Sequence, residues 1–463
     1  MNSFRLRRYQ EDGVHQLRLA YMRGKRAPLF VLPTGGGKTA VFSYIAQSAA
    51  ARGRKITILV HRHELLMQAS RSLERLSVSH GVISPKFIQS SSPVQVASVQ
   101  TLARRLDRIP PPDLIVIDEA HHATAGTYRK IFEAFPSSQL LGVTATPIRT
   151  DGRGFEDVFD EIVVGPSISE LIEQNHLVKP VVYAPPIGID LTGVKKKMGD
   201  YDKSELNNRI DKPSITGSAV EHYSRLCRGE PAIAFCVSVA HAKHVADQFR
   251  CSGFRAASVD GSMRDSDRQA AIDGLANGNY QVLTSADLIG EGLDIPKVAA
   301  AILLRPTHSL ALYLQQVGRA LRPYPGKTEA IILDHVGNVV RHGFPDDDRD
   351  WSLEGTKGNS KKKSYDEIVR VSQCEQCYFV YETGPEKCPS CGHANPVKER
   401  KIEEKTGELK KLEREQIEAA RRQHRREQGQ ARTLEELQEL AKRTGKSPGW
   451  AWHVWNSRAK RRA

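Results

Sequence analysis

A stretch near the start of the chain, LPTGGGKT at residues 32–39, has the composition of a loop that binds phosphate groups. The apolar run before it, residues 28–31, predicts a buried strand, and the apolar spacing of residues 40–46 predicts a helix. Its three glycines lack a Cβ, so their N–H groups can surround the β- and γ-phosphates while the helix N-terminus adds partial positive charge. Lys38 is expected to neutralise phosphate charge, and the Thr39 hydroxyl to complete the ligand shell of Mg²⁺.

The strict form of this pattern has a glycine where Leu32 stands, so the loop is a variant of it. A glycine-rich hairpin turn is the structural alternative, which the strand before the loop and the helix after it disfavour. The residues predicted to hold the phosphates and their metal are Thr34, Gly35, Gly36, Gly37, Lys38 and Thr39.

Two adjacent carboxylates, Asp118 and Glu119, end a second apolar run at residues 114–117. In a parallel sheet, the carboxyl end of this strand would lie at the same edge as the phosphate-binding loop. Asp118 is therefore predicted to hold Mg²⁺ through water, and Glu119 to orient and deprotonate an attacking water. His121 is predicted to couple sites rather than to act as a base. The alternative is that both acids lie at the surface of an ordinary strand end.

Strand and helix patterns alternate from the N-terminus to about residue 335, in two successive runs. This order predicts two α/β domains with parallel sheets, of which the first contains the phosphate-binding loop. Strands are predicted at residues 28–31, 55–60, 94–97, 113–117, 139–144, 232–237, 256–260, 280–284, 299–304 and 329–334. Further helices are predicted at residues 63–76, 100–106, 127–135, 241–253, 265–278 and 309–322.

The predicted domain organisation continues beyond the two α/β units. A polar insertion or loop is expected at residues 191–213, and a linker that begins with an aspartate run and continues in Gly, Ser and Lys. The basic tail is either an exposed helix or disordered over its first part, and a capping box at Thr433 and Glu436 predicts a helix after it. The expected divisions are 1–165 and 166–344 for the α/β domains, 345–369 for the linker, 370–397 for a cysteine-rich segment and 398–463 for the tail.

Composition places the chain among globular proteins that bind a polyanion. With 39% hydrophobic and 26% charged residues and without an apolar run of about 20 residues, we expect neither a membrane span nor a membrane partner. The basic N-terminus lacks the apolar segment of a secretory signal, so we expect a cytoplasmic protein. The net charge is +14, and residues 398–463 supply +8 of it, with 19 Lys and Arg against 11 Glu. Such a charge favours nucleic acid first and an anionic membrane second, and of the two we expect nucleic acid, unless the tail is merely solvated.

The sequence DEAH at residues 118–121, with further motifs in their usual order, is similar to the superfamily 2 helicases. The resemblance covers residues 4–335 and implies two tandem RecA-like domains of a P-loop NTPase. It implies that Arg7 and Gln10 contact the adenine of ATP, since a glutamine amide can bond the N6/N7 edge in two places. Residues implied to contact the nucleic-acid backbone are Arg62, Ser98, Gln100 and Thr101. Residues 144–147 resemble the motif that links the ATP site to the bound strand.

The second α/β unit contains two further motifs of this family. Residues 286–294 resemble motif V, which implies that Gly292 and Asp294 belong to the nucleotide site, as does Gln315 of motif VI. Motif VI, QQVGRALR, ends in Arg319 and Arg322. Three residues apart on a helix, these arginines share a face and can both point into the cleft between the domains. There they can meet the γ-phosphate as the transition state develops; the alternative is an ordinary surface face.

Four cysteines form two Cys-x-x-Cys pairs near the end of the predicted linker. Two such turns can present four thiolates to one tetrahedral Zn²⁺, with thiol redox chemistry as the alternative. Aromatic residues between the pairs either stack on bases or pack the core of this small ribbon. The tryptophans at 450, 452 and 455 favour a helical-hairpin core over a stacking platform or partner dock. The predicted zinc ligands are Cys374, Cys377, Cys388 and Cys391.

A two-domain motor followed by a zinc ribbon and a basic helical tail, with the sequence PGWA at residues 448–451, resembles the bacterial RadD family of DNA-repair ATPases. The resemblance implies DNA as the substrate, single-stranded, branched or duplex, in recombination or double-strand-break repair, with single-strand-binding or recombination proteins as partners. A phage replication helicase of similar layout stays open. Two other functions also stay open: an RNA helicase, because such motifs read the backbone, and a DNA-binding scaffold whose ATPase acts as a switch.

Overall fold

The computed structural model forms two compact units, residues 1–396 and residues 397–463, which are described separately. The second unit contributes a short helical segment at residues 435–438. The structure describes residues 5–87, 91–148, 154–184, 196–197, 200–202, 206, 219–286, 295–354, 371–374, 379–382, 385, 387–394, 433 and 435–438.

The first lobe is built on a seven-stranded sheet in which every strand pair is parallel. Its strand order is β3-β4-β2-β5-β6-β1-β7. The central strands are apolar on both faces because helices cover both sides of the sheet, as is usual for parallel sheets. The strands are β1 (Pro28–Val31), β2 (Ile56–Val60), β3 (His80–Ile83), β4 (Val94–Ser98), β5 (Leu114–Asp118), β6 (Gln139–Thr144) and β7 (Glu161–Val164).

Helices of the first lobe connect these strands. Phe30 and Phe42 are fully buried between β1 and the helix that follows it, which anchors that helix on the sheet. The helices are α1 (Arg8–Met22), α2 (Lys38–Ala50), α3 (His63–Arg75), α4 (Val99–Leu102) and α5 (Gly126–Ala134), and α6 (Ile168–Glu173) leads towards the second lobe.

The second lobe has a six-stranded sheet, again parallel throughout, with the order β12-β13-β11-β14-β15-β8. The strands are β8 (Lys179–Tyr183), β11 (Ala232–Phe235), β12 (Ala256–Val259), β13 (Val282–Ser285), β14 (Ala300–Leu303) and β15 (Glu329–Asp334). A two-stranded hairpin, β9 (Lys196–Lys197) and β10 (Asp200–Tyr201), lies between β8 and β11. The helices are α7 (Val239–Cys251), α8 (Asp265–Asn277), α9 (Leu310–Gly318) and α10 (Asn338–His342), with a π-helical turn at Tyr223–Cys227.

The prediction of two α/β domains with parallel sheets is confirmed, and each predicted strand is present to within two residues at its ends. Strands β3, β7 and β8, the β9–β10 hairpin and helices α1, α6 and α10 were not predicted. β3 mixes a histidine and a glycine with two aliphatic residues, so it lacks the run of β-branched residues that marks a buried strand. The helix predicted at 100–106 is shorter than expected, ending at Leu102 before a 3₁₀ turn at Leu106–Arg108.

The helix predicted at 309–322 is also shorter, and this correction concerns a candidate site. Helix α9 ends at Gly318, so Arg319 and Arg322 do not share a helical face. Pro323 explains part of the difference, because a proline disfavours helical geometry in the residue before it. The two arginines therefore lie on an irregular segment after the helix.

The cysteine-rich segment continues the edge of the second sheet. Its strands β16 (Val371–Gln373) and β17 (Val380–Glu382) pair antiparallel, and Phe379 forms an antiparallel bridge with Tyr183 of β8. Tyr381 is buried, and Phe379 packs between it and Tyr183. Of the two roles open for these aromatic residues, the structure therefore favours packing. Within the described residues, no helix is both long and apolar enough to cross a bilayer.

Ion pairs join the two lobes on the side of α3 and α8. The Arg268 guanidinium of α8 lies 2.9 Å from the Glu64 carboxylate of α3 and 2.7 Å from Asp265. Lys86 of the first lobe lies 2.6 Å from the same Asp265. Only 11% of the Arg268 side chain is exposed, so its charge is less screened than in a surface pair. We call these four residues the interlobe clasp.

Breaking the clasp is expected to loosen the lobes. Arg268→Ala removes the cation that Glu64 and Asp265 share and leaves the two carboxylates close together. The free energy that holds the lobes together should fall by about 1.5–3 kcal/mol, the size of a hydrogen bond to a charged group. Small-angle X-ray scattering of the variant should show a larger radius of gyration. Arg264→Ala is the matched control, because Arg264 lies on the same helix end and pairs with Asp267 of its own helix. Identical scattering from both variants would contradict a holding role for the clasp.

Candidate active site

The phosphate-binding loop has the backbone geometry that its glycines permit. Gly35 and Gly37 have φ angles of +90° and +85°, in the left-handed region that side chains rarely adopt. A Cβ at Gly37 would lie 2.5 Å from Nε2 of Gln10, so a side chain there would displace the Gln10 amide. Helix α2 begins directly afterwards at Lys38, with Thr39 as its second residue. The loop thus presents the N-terminus of a 13-residue helix to any bound anion.

The start of α1 braces this loop through one carbonyl group. The Tyr9 hydroxyl donates to the Gly36 carbonyl at 2.8 Å, and the Gln10 amide donates to the same oxygen at 3.0 Å. The Gln10 carbonyl in turn accepts from the backbone N–H of Arg7 at 2.9 Å. In this structure the Gln10 amide, expected to contact adenine, therefore also fixes the shape of the loop.

The two carboxylates lie at the carboxyl end of β5, where Asp118 is the last residue of the strand and Glu119 follows it, and they face the loop. Asp118 and Glu119 are 5% and 8% exposed, and the Glu119 carboxylate lies 3.9 Å from the Lys38 ammonium. Its other oxygen lies 3.3 Å from Nδ1 of His121. Glu119 has φ +49° and ψ 57°, a left-handed conformation that costs roughly 1–3 kcal/mol in a residue with a side chain. The chain accepts this strain, and the result is a carboxylate turned towards the phosphate-binding loop.

Burial, followed by the adjacent Glu119 carboxylate, raises the pKa of Asp118, and the positive charge of Lys38 opposes that shift. Two buried acids next to one lysine leave negative charge uncompensated, which is the environment that a divalent cation neutralises. Carboxylate and hydroxyl oxygens are ligands that Mg²⁺ accepts. The side chains of Asp118 and Thr39 therefore fit the predicted magnesium site.

Three histidines connect the carboxylates to the end of β2. The ring centroids of His121 and His122 are 4.1 Å apart, and those of His122 and His61 are 4.2 Å apart. His61 precedes Arg62, which was expected to contact a nucleic-acid backbone. The roles of His61 and His122 were missed by sequence reasoning. We call His61, His122 and His121 the histidine stack.

The second lobe contacts the phosphate-binding loop through the end of α9. A Cβ added to Gly318 would lie 2.6 Å from Cβ of Thr34, so only a glycine at residue 318 leaves room for the Thr34 side chain. Cγ of Arg322 lies 3.7 Å from the position of a Cβ on Gly35. Arg319 is buried, with 7% exposure, and Gln315 is buried within α9. The arginine-bearing segment of one lobe therefore lies against the loop of the other.

The residues expected to contact nucleic acid follow the carboxyl ends of two neighbouring strands. Arg62 precedes α3 at the end of β2, and Ser98 ends β4 with Gln100 just beyond it. The Ser98 hydroxyl donates to the Gln100 side chain at 3.0 Å, whereas Thr101 is buried. These ends lie on the same edge of the sheet as the phosphate-binding loop. Three predicted site residues lie outside the described residues: Gly292, Asp294 and Cys377.

Tyr9 and His176 are further residues at this site that sequence reasoning missed. Their ring centroids are 5.2 Å apart, and His176 belongs to the segment between α6 and β8. Tyr9 directly precedes the predicted Gln10, which was a usable signal for its role. His176 had no such signal, because its contact with Tyr9 spans more than 160 residues of chain.

A separate cluster of thiols lies in the cysteine-rich segment. The sulfur atoms of Cys374, Cys388 and Cys391 lie within 4.8 Å of one another, and those of Cys374 and Cys391 are 3.5 Å apart. Thiolates around a tetrahedral Zn²⁺ with bonds of about 2.3 Å lie about 3.8 Å apart, so the spacing fits such an ion. Gly392 supports the turn, with φ +74° and a hydrogen bond of 2.9 Å from its N–H to the Cys388 carbonyl.

The sequence of each lobe matches a known protein family. Residues 3–149 match the family described as type III restriction enzyme, res subunit, and residues 218–324 match the helicase conserved C-terminal domain. A 51.5 kDa protein of Lactococcus phage (isolate 7-9) is 34% identical over 83% of this chain and 82% of its own length. The “Putative ATP-dependent helicase IRC3” of Saccharomyces cerevisiae is 31% identical over 72% of this chain. The aligned region is 51% of the yeast protein, about half its length.

Two solved structures show the same fold. A fragment of a “putative HsdR subunit of a type I restriction enzyme” from Vibrio vulnificus YJ016 has a TM-score of 0.59 at 21% identity, covering 73% of this chain and 65% of that chain. The type ISP restriction-modification enzyme LlaBIII, bound to DNA, has a TM-score of 0.54 at 18% identity, covering 71% of this chain and 27% of that chain.

The close approach of Gly318 to Thr34 predicts a sensitive position. Gly318→Ala places a methyl group where Thr34 stands, so the lobes must separate, and ATP turnover should fall by ~10-fold or more. Gly126→Ala is the control, because a Cβ at Gly126 meets nothing within 4 Å. Steady-state ATPase assays, with thermal melting to verify folding, measure the effect. Wild-type turnover in a folded Gly318→Ala variant would refute the importance of this contact.

Proposed function

The chain belongs to the superfamily 2 helicases, enzymes that use ATP, and we propose that it couples hydrolysis of ATP to movement or remodelling on DNA. The single observation that carries the proposal is the contact of Gly318 and Arg322 with the phosphate-binding loop. A nucleotide held by that loop would be enclosed by groups from both lobes. Its hydrolysis would then change how the lobes fit together, which is the basis of movement along a strand.

We assign roles to the residues around the nucleotide as follows. Lys38 and the N-terminus of α2 bind the β- and γ-phosphates. Glu119 accepts a proton from the attacking water, and the neighbouring Lys38 and His121 hold its carboxylate in place. Mg²⁺, held by Thr39 and Asp118, would offset the negative charge of the phosphates. Arg319 and Arg322 supply positive charge to the γ-phosphate as the transition state forms.

Coupling to nucleic acid is proposed to pass through the histidine stack. A strand bound at the ends of β2 and β4 would contact Arg62 and Ser98, and His61 lies next to Arg62. From His61, ring contacts continue through His122 to His121 beside Glu119. A shift of the strand-binding segment would therefore displace the group that holds the catalytic carboxylate. This supports stimulation of ATP turnover by bound nucleic acid.

DNA is proposed as the substrate on two grounds. The first is the charge of +14, which supports binding to a phosphate backbone but does not separate DNA from RNA. The second is similarity to the type III restriction enzyme family over residues 3–149. A role in DNA repair or recombination, as in the RadD family, extends the proposal and rests on the layout of the sequence. The alternatives are an RNA helicase and an ATP-switched DNA-binding scaffold.

A nucleic-acid panel tests the proposal. ATP turnover is measured with single-stranded DNA, duplex DNA and RNA, and we expect stimulation by DNA. Stimulation by RNA alone would overturn the choice of substrate. A strand-displacement assay on the same DNA separates a motor from a switch, since a switch would hydrolyse ATP without displacing strands.

Lys38→Ala is expected to abolish ATP turnover in this assay, because the variant loses the cation that binds the phosphates. DNA binding should remain measurable by fluorescence anisotropy, since the basic tail can contact phosphates without ATP. Lys55→Ala is the control, as Lys55 is exposed at the opposite end of β2. Full turnover in the Lys38→Ala variant would rule out this loop as the nucleotide site.

We further propose that Cys374, Cys377, Cys388 and Cys391 bind one Zn²⁺. Cys374→Ser removes a buried thiol, and the zinc content of the purified protein should fall from one ion per chain towards zero. Cys251→Ser, which changes an exposed cysteine of α7, should leave the zinc content unchanged. Elemental analysis by mass spectrometry gives the result. Zinc at full occupancy in Cys374→Ser would refute the assignment.

A further inference from the structure

Lys327 lies five residues after Arg322, and its ammonium group is surrounded by backbone carbonyls. It donates to the carbonyl oxygens of Ala320 at 2.5 Å, Arg322 at 2.7 Å and Val298 at 2.5 Å. The Pro296 carbonyl lies further away, at 3.4 Å. A lysine ammonium has three donors, so three short hydrogen bonds use its full capacity.

These hydrogen bonds hold the segment that carries the arginines. Helix α9 ends at Gly318, so no following helical turn donates N–H groups to the carbonyl oxygens of the next residues. The Lys327 ammonium donates to the carbonyl oxygens of Ala320 and Arg322. The Val178 N–H donates to the carbonyl oxygen of Leu321, which lies between them in sequence, at 2.8 Å. Three consecutive carbonyls are thereby fixed, although the segment has no regular secondary structure.

The same ammonium joins this segment to a second part of the lobe. Val298 lies just before β14, so Lys327 ties the approach to that strand to the segment after α9. Arg322 meanwhile contributes its own carbonyl to Lys327 and places its side chain beside Gly35. The position of the Arg322 side chain therefore depends on a backbone that Lys327 holds.

The environment of Lys327 distinguishes it from a solvated surface lysine. Burial, with the charge of Arg322 as the second cause, lowers the pKa of Lys327 to about 7. A buried ammonium is costly unless carbonyls or carboxylates compensate for its lost hydration. The short hydrogen bonds to carbonyl oxygens supply that compensation. An apolar side chain that only packed against this segment would not need them.

We propose that Lys327 is a positioning residue for the arginine segment, holding the backbone so that Arg322 reaches the phosphates of ATP. The inference rests on the proposed function, in which Arg322 acts on the γ-phosphate. Lys327 itself does not contact the nucleotide in this account. Its effect on catalysis must therefore pass through Arg322, and that dependence separates the proposal from a general contribution to folding.

A double-mutant cycle tests this dependence. The variants are Lys327→Met, Arg322→Ala and the combination, with nucleic-acid-stimulated kcat and KM for ATP as readouts. Lys327→Met should lower kcat by roughly 10²-fold, since a displacement of about 1 Å has effects of that size, with KM changed by less than about threefold. The combined variant should be no slower than Arg322→Ala alone. A loss of active protein would instead multiply the two effects.

Lys297→Met is the matched control. Its ammonium lies near Gly278, at the end of α8, and turnover should match the wild type. If Lys327→Met does not fold by thermal melting, Lys327→Arg replaces it in the cycle. The guanidinium keeps the charge but shifts the carbonyls, so a smaller loss with the same dependence on Arg322 is expected.

The outcomes separate this inference from the proposed function. An unchanged kcat in folded Lys327→Met, or effects that multiply in the combined variant, would overturn the positioning role alone. A wild-type protein without ATP turnover would overturn the proposed function and the inference with it.

Discussion

The structure depends on one close approach, that of the Gly318 backbone in the second lobe to the Thr34 side chain in the first. A side chain at residue 318 would keep the lobes apart, and the arginines after α9 would then lie out of reach of the phosphate-binding loop. The remaining features of the site can be understood as supports for this contact. Tyr9 and Gln10 shape the loop from one side, and Lys327 and Val178 fix the arginine segment on the other.

The parallel sheet explains why so many functional groups meet at one edge. Four functional groups lie at the carboxyl ends of four different strands of the first sheet. They are the phosphate-binding loop, the Arg62 segment, Ser98 and the pair of carboxylates. Strands that are far apart in sequence, such as β1 and β6, are neighbours in space. The cost of this convergence appears in Glu119, whose left-handed backbone turns its carboxylate towards Lys38. The interlobe clasp is also at this edge, because Glu64 lies in the first turn of α3 and Lys86 follows the carboxyl end of β3.

Much of the fold could be predicted because it depends on local patterns. Apolar runs marked the central strands, and the residues of the phosphate-binding loop marked the turn into α2. Residues whose roles depend on long-range contacts could not be predicted: His176 beside Tyr9, and Lys327 under the arginine segment. The helical face expected for Arg319 and Arg322 was wrong, because three-residue spacing was taken to mean a continuous helix. Pro323 was the sequence signal against it.

The central claim is that a nucleotide is held by one lobe and sensed by arginines of the other. The most direct measurement is an experimental structure of the protein with DNA, Mg²⁺ and ADP–aluminium fluoride, which mimics the γ-phosphate in the transition state. In that structure the guanidinium groups of Arg319 and Arg322 should lie within hydrogen-bonding distance of the fluoride ligands. Guanidinium groups that face solvent, with the nucleotide contacted by the first lobe alone, would contradict it.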